Sequence, residues 1–481
     1  MKKPAKVILG AFSVFVIAWA ALSAYFTVAG LDLRDDSFRE YSPDGDDHDR
    51  VRSLPPEKNA LTHLKWLEEN MPTNTTLTFS NYQLKRAYLD GTTNRLALAG
   101  AAQELIAAES NTFACAARLL DCEALDVPRF ETAPVWHLTR ILDMSRVKAV
   151  FEASQGDVDK GRQTLMGVVK IGVMVMDNES HLAGISQLVG YQIAVSALDT
   201  ASQPLFVNGD EEWRGNLRQH YRDLLADDVD RVRLEAQRSP DEYWHYIGEV
   251  CSTNRAMVLG LALACGRAQR TNVLLQEGIG DVKAFSWLKW KGLERRFLAV
   301  FLTAFPGYVQ YSLQPNRCLA MCRKACERLC RKVGEPYDVE YAGNSDFGRG
   351  DGSPRDFNPL HRNWLGEITM ARTLCRDAYR LLFRHRFEVN ARIVASACQS
   401  HKAKHGAFPA RLDDLVPEFL PEIPRDPYDG EPLRYNSEKL YLWTPGESLS
   451  FDGKVKQLSR NGKPITDYPV DRCVFFIPDA N

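Results

Sequence analysis

Several motifs that define catalytic and metal-binding families are absent from this sequence. No two cysteines have the Cys-x-x-Cys spacing that is typical of zinc and iron–sulfur sites. The zinc-protease pattern His-Glu-x-x-His, the Gly-x-Ser-x-Gly turn of hydrolases and a phosphate-binding loop with its lysine are also missing. We therefore predict no catalytic residue, no cofactor-binding residue, no metal ligand and no cofactor.

A surplus of charge of either sign is also lacking. The 481 residues include 60 Lys and Arg against 62 Asp and Glu, which gives a formal net charge of −2. Nucleic-acid binding depends on a concentrated basic surface that neutralises phosphates, so we predict no nucleic-acid partner. The chain is too long for one compact core, and we expect two or more domains.

Charged residues are missing from one long stretch, residues 7–31 (VILGAFSVFVIAWAALSAYFTVAGL). About 20 apolar residues are enough to cross a bilayer as a helix. Lysines precede this run and aspartates follow it, which favours a cytoplasmic N-terminus. We predict a transmembrane anchor over 7–31, with residues 1–6 as a cytoplasmic tip. The chain would then be a single-pass protein of the bacterial inner membrane, with most residues on the periplasmic side.

A cleaved signal peptide is the alternative for the same stretch. Ala18-Trp19-Ala20 and Ala21-Leu22-Ser23 are similar to small-residue cleavage sites. The apolar run is longer than the roughly 7–15 residues of a signal sequence, which favours an uncleaved anchor. The first cysteine is Cys115, so lipid attachment to a cysteine near this end is excluded.

Helical periodicity dominates the region after an acidic, proline-bearing tether at residues 32–56. Over 57–333 the apolar residues recur at helical spacing, most clearly in three amphipathic segments between 135 and 205. The Gly156-Asp157 connection resembles the tight turn of a tetratricopeptide helix pair, but no 34-residue period recurs. We predict an irregular α-helical array for 57–333.

The segment 283–305 has tryptophans and phenylalanines among lysines and arginines. Basic, aromatic amphipathic helices bind anionic membrane surfaces. A buried helix with a solvated basic face explains the pattern too, and we favour that interpretation.

Residues 334–362 form a long stretch rich in Gly, Asp and Pro, which predicts a loop at a domain boundary or a functional loop. Helical patterning resumes near Trp364 and continues to about Lys404. After that the period changes to that of strands, with a hairpin at 433–443 and a last strand at 470–477. We predict an α+β domain over 363–481, in which a long helix packs on a small antiparallel β-sheet.

Four cysteines, Cys318, Cys322, Cys326 and Cys330, follow one another at intervals of four residues. Disulfides to cysteines on other helices, such as Cys375 or Cys398, are feasible in an oxidising compartment. Small, buried apolar side chains are the other interpretation. The total of eleven cysteines is odd, so at least one thiol is unpaired within the chain.

Cys398, His401 and His405 also lie at helical spacing. A zinc site would need a further donor, and histidines at the end of a helix interact favourably with its dipole. We interpret these histidines as solvated.

Residues 405–435 carry the most specific motif (HGAFPARLDDLVPEFLPEIPRDPYDGEPLRY). The pattern consists of Gly406, Phe408 and Pro409, then Leu415, then 423–428 (IPRDPY), and finally Asp429-Gly430 with 432–435 (PLRY). It resembles the globular domain of type II secretion major pseudopilins. It is also similar to uncharacterised membrane-anchored bacterial proteins with this C-terminal motif and a helical middle region.

The resemblance implies a pseudopilin-like fold for the C-terminal domain. Two features differ from that family. The prepilin processing motif is absent, and about 330 residues separate the N-terminal run from the domain. The family's calcium-binding loop corresponds to residues 444–448 here (TPGES), where its acidic ligand pattern is not matched. We therefore predict neither pseudopilus assembly nor calcium binding.

Every part of the motif has a structural explanation. Five prolines between 409 and 427 exclude a regular helix and fix an extended, turning path. Apolar residues can hold that path against the long helix, namely Leu412, Leu415, Val416, Phe419, Leu420 and Ile423. The motif therefore predicts fold and not an active site.

The function expected from these features is a membrane-anchored envelope protein that acts as a non-enzymatic binding or scaffold module. Its expected partners are membrane lipid, through the N-terminal helix, and other envelope proteins. Two alternatives stay open: an envelope hydrolase with a site in the helical region or the 334–362 loop, and an atypical component related to type II secretion.

Overall fold

The protein is mostly helical and has a small antiparallel β-sheet, as the sequence predicts. The structure, a computed structural model, describes residues 17–25, 54–71, 82–91, 94–125, 136–176, 183–207, 209–234, 236–237, 311, 314–343, 375–447, 449, 459–460, 463–464 and 474–477. The basic segment 283–305, the tether up to residue 53 and the second part of the predicted loop, 344–362, lie outside these residues.

Residues 228–234 are helical, and the other helices of the described part of the chain are numbered in order. They are α1 (residues 17–25), α2 (Ala60–Glu69), α3 (Tyr82–Asp90), α4 (Ala99–Ala108), α5 (Ser110–Leu119), α6 (Trp136–Ser154), α7 (Val158–Met176), α8 (Ala183–Ala201), α9 (Pro204–Val207), α10 (Glu211–Ala226), α11 (Pro315–Lys332), α12 (Val339–Gly343) and α13 (Cys375–His405). Within the described ranges, none of these helices combines the length and apolar character that a membrane span needs.

The chain divides into two compact units. The first contains residues 1–45, 236–330 and 340–376, and the second contains residues 46–235, 331–339 and 377–481. The second unit thus draws on both the predicted helical array and the predicted C-terminal domain.

Helices α6, α7 and α8 form the core of the array in the second unit. A tight turn joins α6 to α7: Gly156 has a φ of +95°, and the amide of Asp157 donates to the carbonyl of Glu152 at 3.0 Å. This bond satisfies one of the carbonyls left open at the end of a helix, and glycine provides the positive φ at no steric cost. The turn reverses the chain, so that α6 and α7 pack side by side.

Two glycines allow α7 and α8 to approach each other at backbone distance. A Cβ atom on Gly172 would lie 2.7 Å from the carbonyl oxygen of Gly190 and 2.8 Å from the amide nitrogen of Ala194. A Cβ atom on Gly190 would lie 2.5 Å from the carbonyl oxygen of Gly172. No real side chain fits such a gap, so this helix pair requires glycine at both positions.

The strands follow α13 and a 3-10 turn at Leu412–Leu415. Strands β1 (Arg434–Asn436), β2 (Tyr441–Trp443) and β5 (Val474–Phe476) form one antiparallel sheet in the order β1-β2-β5. Arg434 pairs with Trp443 across the hairpin. Two-residue strands, β3 (Ser459–Arg460) and β4 (Lys463–Pro464), pair with each other. The predicted hairpin and the predicted last strand are both confirmed.

Most of the apolar residues that we expected to fix the proline-rich path are buried. Leu415 and Leu420 have exposures of 0% and 1%, and Leu412 and Phe419 are buried as well. The prediction was wrong for Val416, which is 36% exposed, and Ile423 is only partly buried. Val416 lies directly after the 3-10 turn, whose backbone directs Leu412 and Leu415 inward and the following side chain outward.

Substituting Gly172 with alanine tests the close approach of α7 and α8. We expect Gly172→Ala to lower the free energy of unfolding by about 2 kcal/mol or more, since the methyl group overlaps backbone atoms that cannot move aside. Gly100→Ala is the matched control, because α4 leaves open space there and alanine favours helix by up to about 1 kcal/mol. Urea unfolding followed by circular dichroism measures both. Equal effects of the two substitutions would contradict the close approach.

Candidate functional site

A set of partly buried polar contacts lies along helix α13 in the described part of the second unit. We call it the arginine seam and define it by three links from α13 to the array: Arg386 to Asp228, Arg392 to Asp199, and Ser400 to the Arg218–Glu211 pair. Ionisable groups with perturbed pKa values cluster at functional sites, which makes the seam a candidate site.

The central link is a two-pronged ion pair between Arg392 and Asp199. The Nε and Nη2 atoms of Arg392 donate to the two carboxylate oxygens of Asp199 at 2.7 and 3.0 Å. The hydroxyl of Tyr221 donates to the same carboxylate at 2.8 Å. Burial disfavours the charge on Arg392, but Asp199 outweighs it and raises the pKa of the guanidinium. The guanidinium of Arg392 is therefore held in its charged form.

The two outer links differ from each other: Arg386 forms a second two-pronged pair, and Ser400 forms a hydroxyl bridge. Arg386 donates from Nε and Nη2 to the carboxylate of Asp228 at 2.6 and 2.8 Å. At the other end, the buried hydroxyl of Ser400 donates to Glu211 at 2.8 Å and accepts from Arg218 at 3.0 Å. Arginine's planar fork fits carboxylates in this two-pronged way, which gives the contact a fixed geometry.

The seam is suited to holding helices together and not to acid–base chemistry. Burial raises the pKa of Glu211, but the bonds from Arg218 and Ser400 outweigh it, so that its pKa lies below the ordinary value. A carboxylate with a lowered pKa is a weak base. The Ser400 hydroxyl already has both a donor and an acceptor partner, so it is not poised as a nucleophile.

His385 lies beside the seam on α13. Its ring stacks on that of Tyr191 from α8, with centroids 3.7 Å apart and planes inclined by 15°. Burial, together with the positive charges of Arg384 and Arg392, lowers the pKa of His385 to about 3. The imidazole is therefore neutral at any physiological pH.

A cluster of aromatic rings connects α13 to the C-terminal motif. Tyr337 stacks on Tyr379 and makes edge contacts with Phe383 and Tyr428, with ring centroids 4.8 to 5.6 Å apart. Such pairs contribute about 0.5–1.5 kcal/mol beyond their burial. The amide of Asp338 donates to the Tyr379 hydroxyl at 2.8 Å. The first residues of the predicted 334–362 loop are thus packed against the long helix, and α12 follows them directly.

The proline-rich motif is a turn built around one buried carboxylate, Asp426. Its two oxygens accept from the amide of Tyr428 at 2.9 Å, from the hydroxyl of Thr444 at 3.0 Å and from Arg434 at 3.2 Å. Arg434 also pairs with Asp429 and lies over the ring of Trp443. Burial raises the pKa of Asp426, while the bonds from Tyr428 and Thr444 favour its ionised form.

The loop at 444–448 has one acidic residue, Glu447, and this pairs with Arg380 of α13 at 3.3 Å. Thr444 is buried and donates to Asp426. The contacts that the structure shows for these two residues therefore connect the loop to the motif and to the long helix.

Cys398, His401 and His405 do not form a common site. Cys398 is completely buried, and burial raises the pKa of its thiol to about 12, which keeps it protonated. His401 bonds to the carbonyl of Ala407 at 2.8 Å, and His405 lies 3.3 Å from the carboxylate of Glu418. Throughout the ranges that the structure covers, no group of three or more His, Cys, Asp or Glu residues could hold a metal ion.

The cysteines of α11 follow the apolar interpretation and not the disulfide interpretation. Cys318, Cys322 and Cys326 have exposures of 0–2%, and the seven cysteines with described surroundings are present as thiols. The sulfur atoms of Cys322 and Cys326 are 4.0 Å apart. The side chain of Cys375 lies outside the described residues.

Sequence reasoning missed the seam. Its signal was present as arginines at 386 and 392 beside the apolar residues of α13, with Asp199 near the end of the apolar helix α8. From the sequence alone, arginines on a helix indicate a solvent-exposed face, because the pattern does not show which carboxylates lie near them in three dimensions.

The neutral state of His385 predicts acid sensitivity. In the unfolded chain this histidine binds a proton below its ordinary pKa of 6.5, whereas the folded protein keeps it neutral down to about pH 3. The stability that depends on neutral His385 is complete above pH 6.5 and is lost as the pH falls toward 3, by about 1.4 kcal/mol per pH unit.

The substitution His385→Phe keeps a ring on Tyr191 and removes the titration. We expect a smaller slope of unfolding free energy against pH, measured by urea titration between pH 4 and 6.5. The decrease should be about 1.4 kcal/mol per pH unit, which corresponds to one proton fewer taken up on unfolding. Tyr191→Phe is the control, because it keeps the stack and the histidine and should leave that slope unchanged. An unchanged slope in His385→Phe would contradict a buried neutral imidazole.

Comparisons with known proteins found no matching family model, no matching curated protein and no matching solved structure.

Proposed function

We propose that this protein is a single-pass protein of the bacterial inner membrane whose outer part acts as a non-enzymatic scaffold for other envelope proteins. In this proposal residues 7–31 are the anchor, the helical array and helix α13 form the scaffold, and the C-terminal motif belongs to a pseudopilin-like α+β domain.

The observation that carries the anchor is the exposure of apolar side chains on α1. Ile17, Trp19, Leu22 and Tyr25 have exposures of 69%, 41%, 39% and 54%. Apolar surface in water costs about 25 cal/mol per Å², so a helix with large apolar side chains around its circumference is favourable in lipid. The uncharged sequence continues on both sides of α1, from residue 7 to residue 31.

The scaffold role is supported by the fact that the ionisable groups of the seam and of the turn bond to other groups of the protein. In the arginine seam the charged groups bond to one another and hold helices together. In the Asp426 turn the carboxylate bonds to Arg434 and holds the turn on strand β1. A rigid helical framework with its buried charges paired presents a stable surface to partners, whereas a catalytic site needs groups whose pKa and geometry leave them available to a substrate.

Reporter fusions at the C-terminus test the topology. Alkaline phosphatase is active only after export and green fluorescent protein fluoresces only in the cytoplasm. We expect a phosphatase fusion after residue 481 to be active and the fluorescent fusion to be dark, because the lysines before the apolar run retain the N-terminus in the cytoplasm. The opposite pair of results would contradict the proposal.

Two variants of α1 provide the matched comparison. Trp19→Arg with Leu22→Arg places two charges in the apolar run, each costing about 2.5–3.5 kcal/mol for insertion. Phosphatase activity and resistance of the protein to carbonate extraction should both be lost. Trp19→Leu with Leu22→Ile keeps the run apolar and should retain both.

A further inference from the structure

Helix α11 is amphipathic in an unusual way, because its apolar face is made largely of cysteine. The buried residues are Cys318, Cys322, Ala325, Cys326 and Leu329, at the i, i+4, i+7, i+8 and i+11 positions of one helix face. The spacing of the cysteines is therefore explained by burial. The residues between these buried positions form the opposite face of the helix.

That opposite face is basic. Lys324, Arg328 and Arg331 are exposed on it, and Glu327 is the acidic residue among them. The whole helix contains six basic residues and one acidic residue. At 1.5 Å per residue, its 18 residues extend about 27 Å. Such a helix offers several positive charges along a single line.

Shortly before α11 in the sequence, Tyr311 contacts the proposed anchor. The ring of Tyr25, at the end of α1, lies 5.8 Å from the ring of Tyr311, measured between centroids. Three residues separate Tyr311 from Pro315, where α11 begins, and the four Cα–Cα steps between them span at most about 14 Å. Both α1 and residues 315–330 belong to the first compact unit. The helix thus starts near the outer end of the proposed membrane span.

We propose that the basic face of α11 binds the anionic phospholipid headgroups around the anchor, on the outer side of the inner membrane. This rests on the proposed anchor. Each lysine or arginine near an anionic membrane surface contributes to binding, and the attraction extends over about one Debye length, 10 Å at 0.1 M salt. The position next to the anchor favours lipid over a soluble acidic partner, since the membrane surface is always within reach of α11.

Photo-cross-linking of the full chain in vesicles tests this. A benzophenone amino acid replaces Ala320, an exposed residue of the basic face, and in a second protein it replaces Gln219, an exposed residue of α10. Both proteins are inserted into vesicles of phosphatidylglycerol and phosphatidylcholine and, separately, of phosphatidylcholine alone. Cross-linked lipid is measured by mass spectrometry.

We expect position 320 to cross-link phosphatidylglycerol at least fivefold more than position 219, and the yield to fall several-fold in 0.5 M salt. Lys324→Glu with Arg328→Glu should lower the yield at position 320 by at least tenfold, and Lys324→Gln alone by about fivefold. The same yield at both positions, independence of salt and charge, or cross-links to a second copy of the chain in place of lipid would each overturn the proposal.

Carbonate extraction of the same samples separates this proposal from the anchor. Protein that resists extraction but does not cross-link lipid at position 320 keeps the anchor and overturns the role of α11. Protein that carbonate releases overturns the anchor, and with it the basis of the α11 proposal.

Discussion

A long helix that packs against other segments on more than one face removes some of its charged side chains from water, and these need partners of opposite charge inside the protein. Helix α13 is in this situation. Its arginines 386 and 392 extend to Asp228 and Asp199 of the array, while Arg380 reaches Glu447 in the loop after β2. The bonds that α13 makes therefore connect the array to the sheet, and each of the two depends on it for its position in the second unit.

The two-pronged geometry of the Arg386 and Arg392 pairs accounts for their structural role. Removing the arginine of such a pair leaves the carboxylate without its charged partner, and the hydrogen bonds lost to a charged group are worth about 1.5–3 kcal/mol. The pair also fixes the rotation and the height of one helix on another, because both donors must meet both oxygens. Apolar contacts tolerate small shifts of register. The seam does not, so it sets how α13 sits against α8 and α10.

Turn chemistry and a buried, paired charge also explain the C-terminal motif. Asp426 is buried next to Pro427 and accepts from two side chains and one amide, while Gly430 provides the positive φ that closes the turn. Tyr428 projects from this turn into the aromatic cluster with Tyr337 and Phe383. The motif thus connects a helix to a sheet.

The sequence predicts the local elements well and the contacts between them poorly. The helices between 136 and 201, the hairpin at 434–443 and the burial of Cys318 and Cys322 follow from periodicity and turn chemistry. The partnership of Arg392 with Asp199 does not, because 193 residues separate them and no local pattern encodes which carboxylate meets which arginine. Local patterns also do not predict that most of α13 belongs to one unit with residues 46–235, because this grouping depends on contacts between distant parts of the sequence. Val416 was misplaced because a 3-10 turn changes which side chains point inward.

Hydrogen exchange of the full chain, with and without Arg392→Met, tests most directly whether α13 and the array form one cooperative structure. Amides of α7, α8 and α13 are compared by mass spectrometry of peptides from each helix. If the seam couples them, the substitution lowers the opening free energy of all three helices by the same amount, about 2 kcal/mol. Loss of protection confined to α13, with α7 and α8 unchanged, would show that the helix and the array are separate units and would contradict the account.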